Sequence, residues 1–163
     1  MPPEIRKWLG LSAVIILLDQ ATKYWVTSVF RLGESLTVTS FFDLVFVFNR
    51  GAAFSFLASE DGWQRWFFVV LALVISSWLI AMLREHAGER LMPTALSMVL
   101  GGALGNVIDR LMHGAVVDFL SFHVAGYYWP AFNVADSCIT VGVGLLLWHQ
   151  FFQGQIHDRA RQA

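Results

Sequence analysis

The chain has 163 residues, of which 56% are hydrophobic and only 14% charged, with a mean hydropathy of +0.58. That apolar excess lies outside the range of soluble domains, so much of it is expected to face lipid. A formal net charge of −1 leaves no basic excess to hold nucleic acid, and the single cysteine, Cys138, excludes an intrachain disulfide framework and any multi-cysteine metal site.

Arg6 and Lys7 precede an apolar run from Leu9 to Leu18, a pattern shared with secretory signal peptides. No small-residue cleavage pattern follows, and the apolar stretch resumes after Asp19 through Tyr24, Trp25, Val26, Val29 and Phe30. Residues 9–30 are therefore expected to be a retained first transmembrane helix. The connection over 31–64 is long, and Val38, Phe41, Phe42, Leu44, Val45, Phe46, Val47 and Phe48 give it strand character. Residues 66–83 and 91–111 read as the second and third spans, with Pro93 in the first turn of the third, where its missing N–H is tolerated. The connection over 112–135 again has strand character in Val116, Val117, Phe119, Leu120 and Phe122, and Tyr127, Tyr128 and Trp129 suit a membrane interface. Residues 137–152 complete four spans. The expected fold is an all-α membrane protein, one integral membrane domain with four transmembrane helices and a small extracytoplasmic β-sheet resting on the outer membrane interface. Backbone so apolar is tolerated there only when its own N–H and C=O groups pair.

Cytoplasmic flanks are enriched in Lys and Arg. Arg6 and Lys7, Arg84 and Arg90, and Arg159 and Arg161 mark the N-terminus, the second connection and the C-terminus as one side. Both termini are thus expected in the cytoplasm and the two long connections outside.

Asp19, Lys23, Asn106, Asp109 and Arg110 fall within the expected spans, toward the outer half. A charge at a helix centre costs about 2.5–3.5 kcal/mol on insertion scales, so such residues are functional candidates. Asp118 and Asp136 lie just beyond the spans at the same face, with Asp118 interrupting the run Val116-Val117-Asp118-Phe119-Leu120. Plainer readings stand beside these. Asp19 and Lys23 are spaced to neutralise each other along one helix face, and Asp109 with Arg110 has the form of a helix-end charge pair. Asn133 and Asp136, directly before the fourth span, have the form of an N-cap with an acidic partner three residues on. Cys138 reads as packing. Lys23 with Ser28 or a distant serine is a conceivable dyad that no spacing singles out, and His113 and His123 flank Asp118 without a metal-binding frame. Gly101, Gly102 and Gly105 read as helix-packing contacts.

Four segments together resemble the motifs of bacterial lipoprotein signal peptidase, also called signal peptidase II. They are Leu18-Asp19-Gln20-Ala21-Thr22-Lys23, Asn49-Arg50-Gly51-Ala52-Ala53-Phe54-Ser55, Gly105-Asn106-Val107-Ile108-Asp109-Arg110 with Val116-Val117-Asp118-Phe119, and Phe132-Asn133-Val134-Ala135-Asp136-Ser137. Their order and spacing, running from the first span to the fourth, make the match specific. The resemblance implies an aspartic endopeptidase of the bacterial plasma (inner) membrane. Its substrates would be prolipoproteins already carrying diacylglycerol on cysteine, cut on the N-terminal side of that residue. It implies Asp118 and Asp136 as the catalytic pair, supported by Asp19, Lys23, Asn49, Gly51, Asn106, Asp109, Arg110 and Asn133. It implies no metal or organic cofactor, lipidated prolipoproteins and membrane lipids as partners, and a monomer.

The chemistry is coherent on its own terms. Two carboxylates held close together cannot both ionise easily, so one keeps a proton while the other takes one from water. Two rivals remain at this stage: a proton- or ion-coupled transport component, because intramembrane Asp and Arg also form proton relays, and a structural assembly subunit with the glycines as packing faces. The first lacks an inverted repeat, and the second leaves Asp118 and Asp136 unexplained.

Overall fold

A computed structural model of the chain describes residues 3–51 and 62–162, and the side chains of 4–51 and 62–151. The order of elements is α1 (Pro3–Val29), β1 (Ser35–Thr39), β2 (Phe42–Asn49), α2 (Trp63–Glu85), α3 (Leu91–His113), β3 (Val116–Val124), β4 (Tyr127–Tyr128) and α4 (Val134–Gln162). The helices run beyond the expected spans, most consequentially at α4, which begins at Val134 rather than at 137. Asp136 therefore sits inside the first turn of α4 instead of ahead of it.

Three helical segments among the described residues are long and apolar enough to cross a membrane: Trp63–Glu85, Leu91–His113 and Val134–Phe151. α1 has the length, with 27 residues, but Asp19, Gln20, Thr22 and Lys23 dilute its apolar content. The residues that weaken its signal as a span are the ones that turn inward, since Asp19 and Lys23 are both buried. Trp66, Phe67, Val70, Leu73, Val74 and Trp78 of α2 are exposed, as expected of a lipid-facing surface.

α3 is the central helix, packed against α1, α2 and α4. Close approach depends on missing side chains. A Cβ on Gly101 would come within 2.9 Å of the Ser12 carbonyl oxygen and of Ile15 Cβ on α1, and one on Gly102 would overlap the Ala135 carbonyl oxygen on α4. At Gly105 the added atom would meet Asp19 Oδ2 at 2.6 Å. Gly105 thus makes room for a carboxylate of α1 within the helix packing expected of it.

Two apolar clusters hold the molecule at opposite ends of α1. One gathers Ile5, Trp8, Leu79, Leu83, Leu96 and Leu100, and the other Val26, Phe30, Phe46, Val117 and Phe119. Asp19 and Lys23 lie between them along the helix.

The strands form one antiparallel sheet in the order β1-β2-β3-β4, matching the strand character of both long connections. In the β2–β3 register Val47 faces Asp118 and Asn49 faces Val116, with an irregularity between Leu44 and Val47. Beyond β4 the chain returns to β3: the Phe132 carbonyl accepts from Phe119 N at 3.0 Å and Leu120 N at 2.8 Å, and Phe132 N donates to the Leu120 carbonyl at 3.0 Å. This return fixes the start of α4 beside the buried half of β3. Asp118 and Asp136 become neighbours by this route.

Because the Gly102 contact is with backbone, it cannot relax cheaply. Gly102→Ala is expected to lower stability by about 1–3 kcal/mol, read as a fall in the thermal midpoint in detergent. Gly144→Ala, where nothing lies within 4 Å of the added atom, should leave the midpoint unchanged or raise it.

Candidate active site

At the centre of the site is Lys23, 3% exposed and enclosed by α1 and α3. Its ammonium lies 2.8 Å from Asp19 Oδ2 and 2.9 Å from Asp109 Oδ2, and it donates to Asn106 Oδ1 at 2.9 Å. All three ammonium protons are thereby engaged. The Asp19–Lys23 pair expected from their spacing is present, and Asp109 joins it rather than pairing with Arg110.

Each partner carboxylate also holds a backbone amide next to one of the two remaining aspartates. Asp19 Oδ1 accepts from Ala135 N at 2.9 Å, one residue before Asp136. Asp109 Oδ2 accepts from Val117 N at 3.0 Å, one residue before Asp118.

Two asparagines complete the frame. Asn133 Oδ1 accepts from Asp136 N at 2.9 Å, which caps α4 as expected, and its amide donates to Asp118 Oδ1 at 2.7 Å. Asn106 Oδ1 accepts from the Lys23 ammonium, and its amide nitrogen donates to Asp136 Oδ1 at 2.7 Å. The amide orientations follow from these donors, because neither asparagine oxygen can face an N–H and a carboxylate interchangeably. Asn49 donates to Asp118 Oδ2 at 3.1 Å and accepts from Gly51 N at 3.1 Å.

Asp118 and Asp136 line one cavity of about 800 Å³, along with Asn49, Gly51, Arg110 and Ser137. Much of the remaining wall is apolar, from Phe48, Trp129, Phe132, Ile139 and Val141. Arg110 donates to the Asn106 and Gly51 carbonyls at 3.3 Å each, and its guanidinium lies 5.0 Å from the Phe68 ring centroid. Burial pushes the Asp118 carboxyl up to about 7, with the nearby Asp136 charge adding to the effect and the Asn49 and Asn133 amides opposing it.

All ten site residues expected from the sequence converge here. The motif residues Ala52, Ala53, Phe54 and Ser55 lie outside the described residues. Ser28 does not approach Lys23: it is exposed and donates to the Trp25 carbonyl at 2.7 Å. His113 packs against Phe48 and His123 against Tyr128, with ring centroids 5.8 and 4.8 Å apart. Sequence reasoning passed over Gln20, whose amide donates to Asp109 Oδ1 at 2.9 Å and to Asp19 Oδ2 at 3.2 Å. Its place beside Asp19 inside the first motif was the available signal.

Comparison with known proteins gives a consistent result. The family described as Signal peptidase (SPase) II matches residues 11–152. The chain is 60% identical over 148 residues to the lipoprotein signal peptidase of Azoarcus sp. (strain BH72), covering 91% of this chain and 84% of that protein. It is 54% identical over 143 residues to the lipoprotein signal peptidase of Janthinobacterium sp. (strain Marseille), covering 88% and 87%. A solved structure described as a bacterial membrane enzyme superposes with a TM-score of 0.82 at 31% identity, covering 91% of this chain and 89% of its own.

The raised Asp118 value carries a stability consequence. Between about pH 4 and 7 the native state holds a proton that the unfolded chain has released, so stability declines as pH rises through that window. The span from 3.8 to about 7 corresponds to on the order of 4 kcal/mol. Asp118→Asn is therefore expected to unfold at a higher temperature than the wild type at about pH 8, with the difference shrinking toward about pH 4. Thermal melts in detergent at the two pH values check the sign.

Proposed function

Because the chain belongs to the signal peptidase II family, a family of peptidases, we propose that Asp118 and Asp136 are its catalytic pair and that it is an aspartic endopeptidase. It removes signal peptides from prolipoproteins, as its family does. The observation that carries the aspartic assignment is the sharing of one cavity wall by two carboxylates tied through Asn133 and Asn106. The family match sets aside the transport alternative.

In this mechanism Asp118, whose carboxyl titrates near 7, holds the proton and Asp136 is the base. Asp136 takes a proton from water as the water attacks the scissile carbonyl, and Asp118 donates to the developing oxyanion. The proton on Asp136 then passes to the leaving amine, and the pair returns to sharing one proton. Arg110, held by two backbone carbonyls, stands at the cavity wall to orient the substrate backbone.

The apolar cavity walls suit a substrate bearing a diacylglyceryl group on the cysteine following the scissile bond. The signal segment is one hydrophobic anchor and the lipid a second, and two anchors fix depth better than one. α1, about 40 Å long at 1.5 Å per residue, is the fourth crossing, its polar stripe covered by α3 and α4. Both termini then lie in the cytoplasm, with the sheet and cavity at the outer face of the plasma membrane, and the chain acts as a monomer.

Asp118→Asn and Asp136→Asn are each expected to lower cleavage of a lipidated prolipoprotein by about a thousandfold or more while remaining folded, with Cys138→Ala retaining activity. The same prolipoprotein without its diacylglyceryl group should be cut poorly. Normal turnover by either Asn variant would falsify the pair, and equal cleavage of the two substrates would remove the lipid-anchor argument. Reporter fusions at Ala163 and near Gly126 should report opposite sides of the membrane, and agreement between them would overturn the orientation.

A further inference from the structure

Gln20 stands behind the aspartate pair and outside the cavity. Its side-chain amide nitrogen donates one N–H to Asp109 Oδ1 at 2.9 Å and shares the other between Asp19 Oδ2 and the Gly105 carbonyl, each at 3.2 Å. Asp19 and Asp109 are thus bridged twice, by the Lys23 ammonium and by a neutral amide.

The bridges are not equivalent. Lys23 and Val117 N both approach Asp109 through Oδ2, at 2.9 and 3.0 Å. Among the described residues, Gln20 is the one hydrogen-bond partner of Asp109 Oδ1. An ammonium is a point charge with rotatable donors, so it draws a carboxylate close without fixing its plane. A second donor on the other oxygen sets that plane. The plane matters because Asp109 Oδ2 holds the amide immediately before Asp118.

Resting on the reading that Asp118 and Asp136 are the catalytic pair, we propose that Gln20 is a positioning residue: it orients the Asp109 carboxylate, and through Val117 N it sets where Asp118 stands relative to Asp136. Removing its amide leaves Asp109 Oδ1 without a donor and lets the carboxylate turn about its contact with Lys23. The cavity wall is untouched, because Gln20 contributes nothing to it.

The test uses full-length enzyme in detergent with a lipidated prolipoprotein, comparing wild type, Gln20→Met, Gln20→Glu and Asp118→Asn, with rates expressed per folded molecule. Gln20→Met keeps the length of the side chain and loses its donors. Its kcat should fall about tenfold or more with KM within about twofold, since misplacement of a reacting group acts on the chemical step. Gln20→Glu keeps the shape and regains a donor only when its carboxyl is protonated, so its kcat relative to wild type should rise between about pH 8 and about pH 6. The Gln20→Met ratio should stay flat over the same range. Wild-type kcat per folded molecule in Gln20→Met, with Asp118→Asn inactive, overturns the positioning role and leaves the catalytic pair standing. An active Asp118→Asn overturns both.

Discussion

The rest of the site depends on the contact of one buried ammonium with two buried carboxylates. Taking Lys23, Asp19 and Asp109 out of water costs several kcal/mol per ion, and the attraction among them offsets this only with close geometry and with the remaining oxygens satisfied. Both conditions hold. The separations are 2.8 and 2.9 Å, and Ala135 N, Val117 N and the Gln20 amide take up the other acceptor positions. Such a triad is weak evidence of stability for its own sake, because well-packed apolar residues would serve equally well. What it does supply is direction: each carboxylate points one oxygen at the backbone amide immediately before Asp118 or Asp136.

Charge counting supports the proposed sharing of one proton by Asp118 and Asp136. The cluster contains two cations, Lys23 and Arg110, against four carboxylates, Asp19, Asp109, Asp118 and Asp136. If all four ionised, two negative charges would be uncompensated in a region of low dielectric. Lys23 meets Asp19 and Asp109 while Arg110 lines the cavity with Asp118 and Asp136, so each pair of carboxylates is one positive charge short. Asp118 is 1% exposed, and its carboxyl rises to about 7 accordingly. Burial is the main cause, and the nearby Asp136 charge adds to it.

Much of this was legible in the sequence. The apolar runs marked α2, α3 and α4, and the dense β-branched and aromatic stretches marked β2 and β3. Asp19, Lys23, Asp109 and Arg110 stand out as ionisable groups at membrane depth, whereas Asn49, Gly51 and Asn133 are marked only by the motifs they share with the family. The parts that were not legible share a physical cause. Asp109 beside Arg110 looked like a local pair, yet adjacent residues on a helix point in different directions, and Asp109 turns to Lys23 while Arg110 turns to the cavity. Gly105 looked like its neighbours Gly101 and Gly102, and only the position of Asp19 distinguishes it. The apolar run of α4 begins three residues after the helix does, because the cap and first turn carry the polar Asn133 and Asp136. Gln20 is neutral, so no cost argument drew attention to it.

Backbone tethers also account for why the two aspartates need not sit on one rigid element. Asp118 is on a strand and Asp136 on a helix, and 17 residues including a two-residue strand separate them. A side-chain contact between them would fix only their carboxylates and leave each free to swing with its own loop. Holding Val117 N and Ala135 N instead fixes the main chain beside each, and the β3 return through Phe132 removes the remaining freedom between strand and helix. The anchor points for both tethers lie on α1 and α3, which pack closely because Gly101 and Gly105 carry no side chain. The spacing of the pair is therefore inherited from the close packing of two helices across small residues. A membrane enzyme whose substrate arrives anchored by its own lipid and signal segment gains most from such a site, since the reaction then depends on matching two fixed depths rather than on closing one flexible pocket.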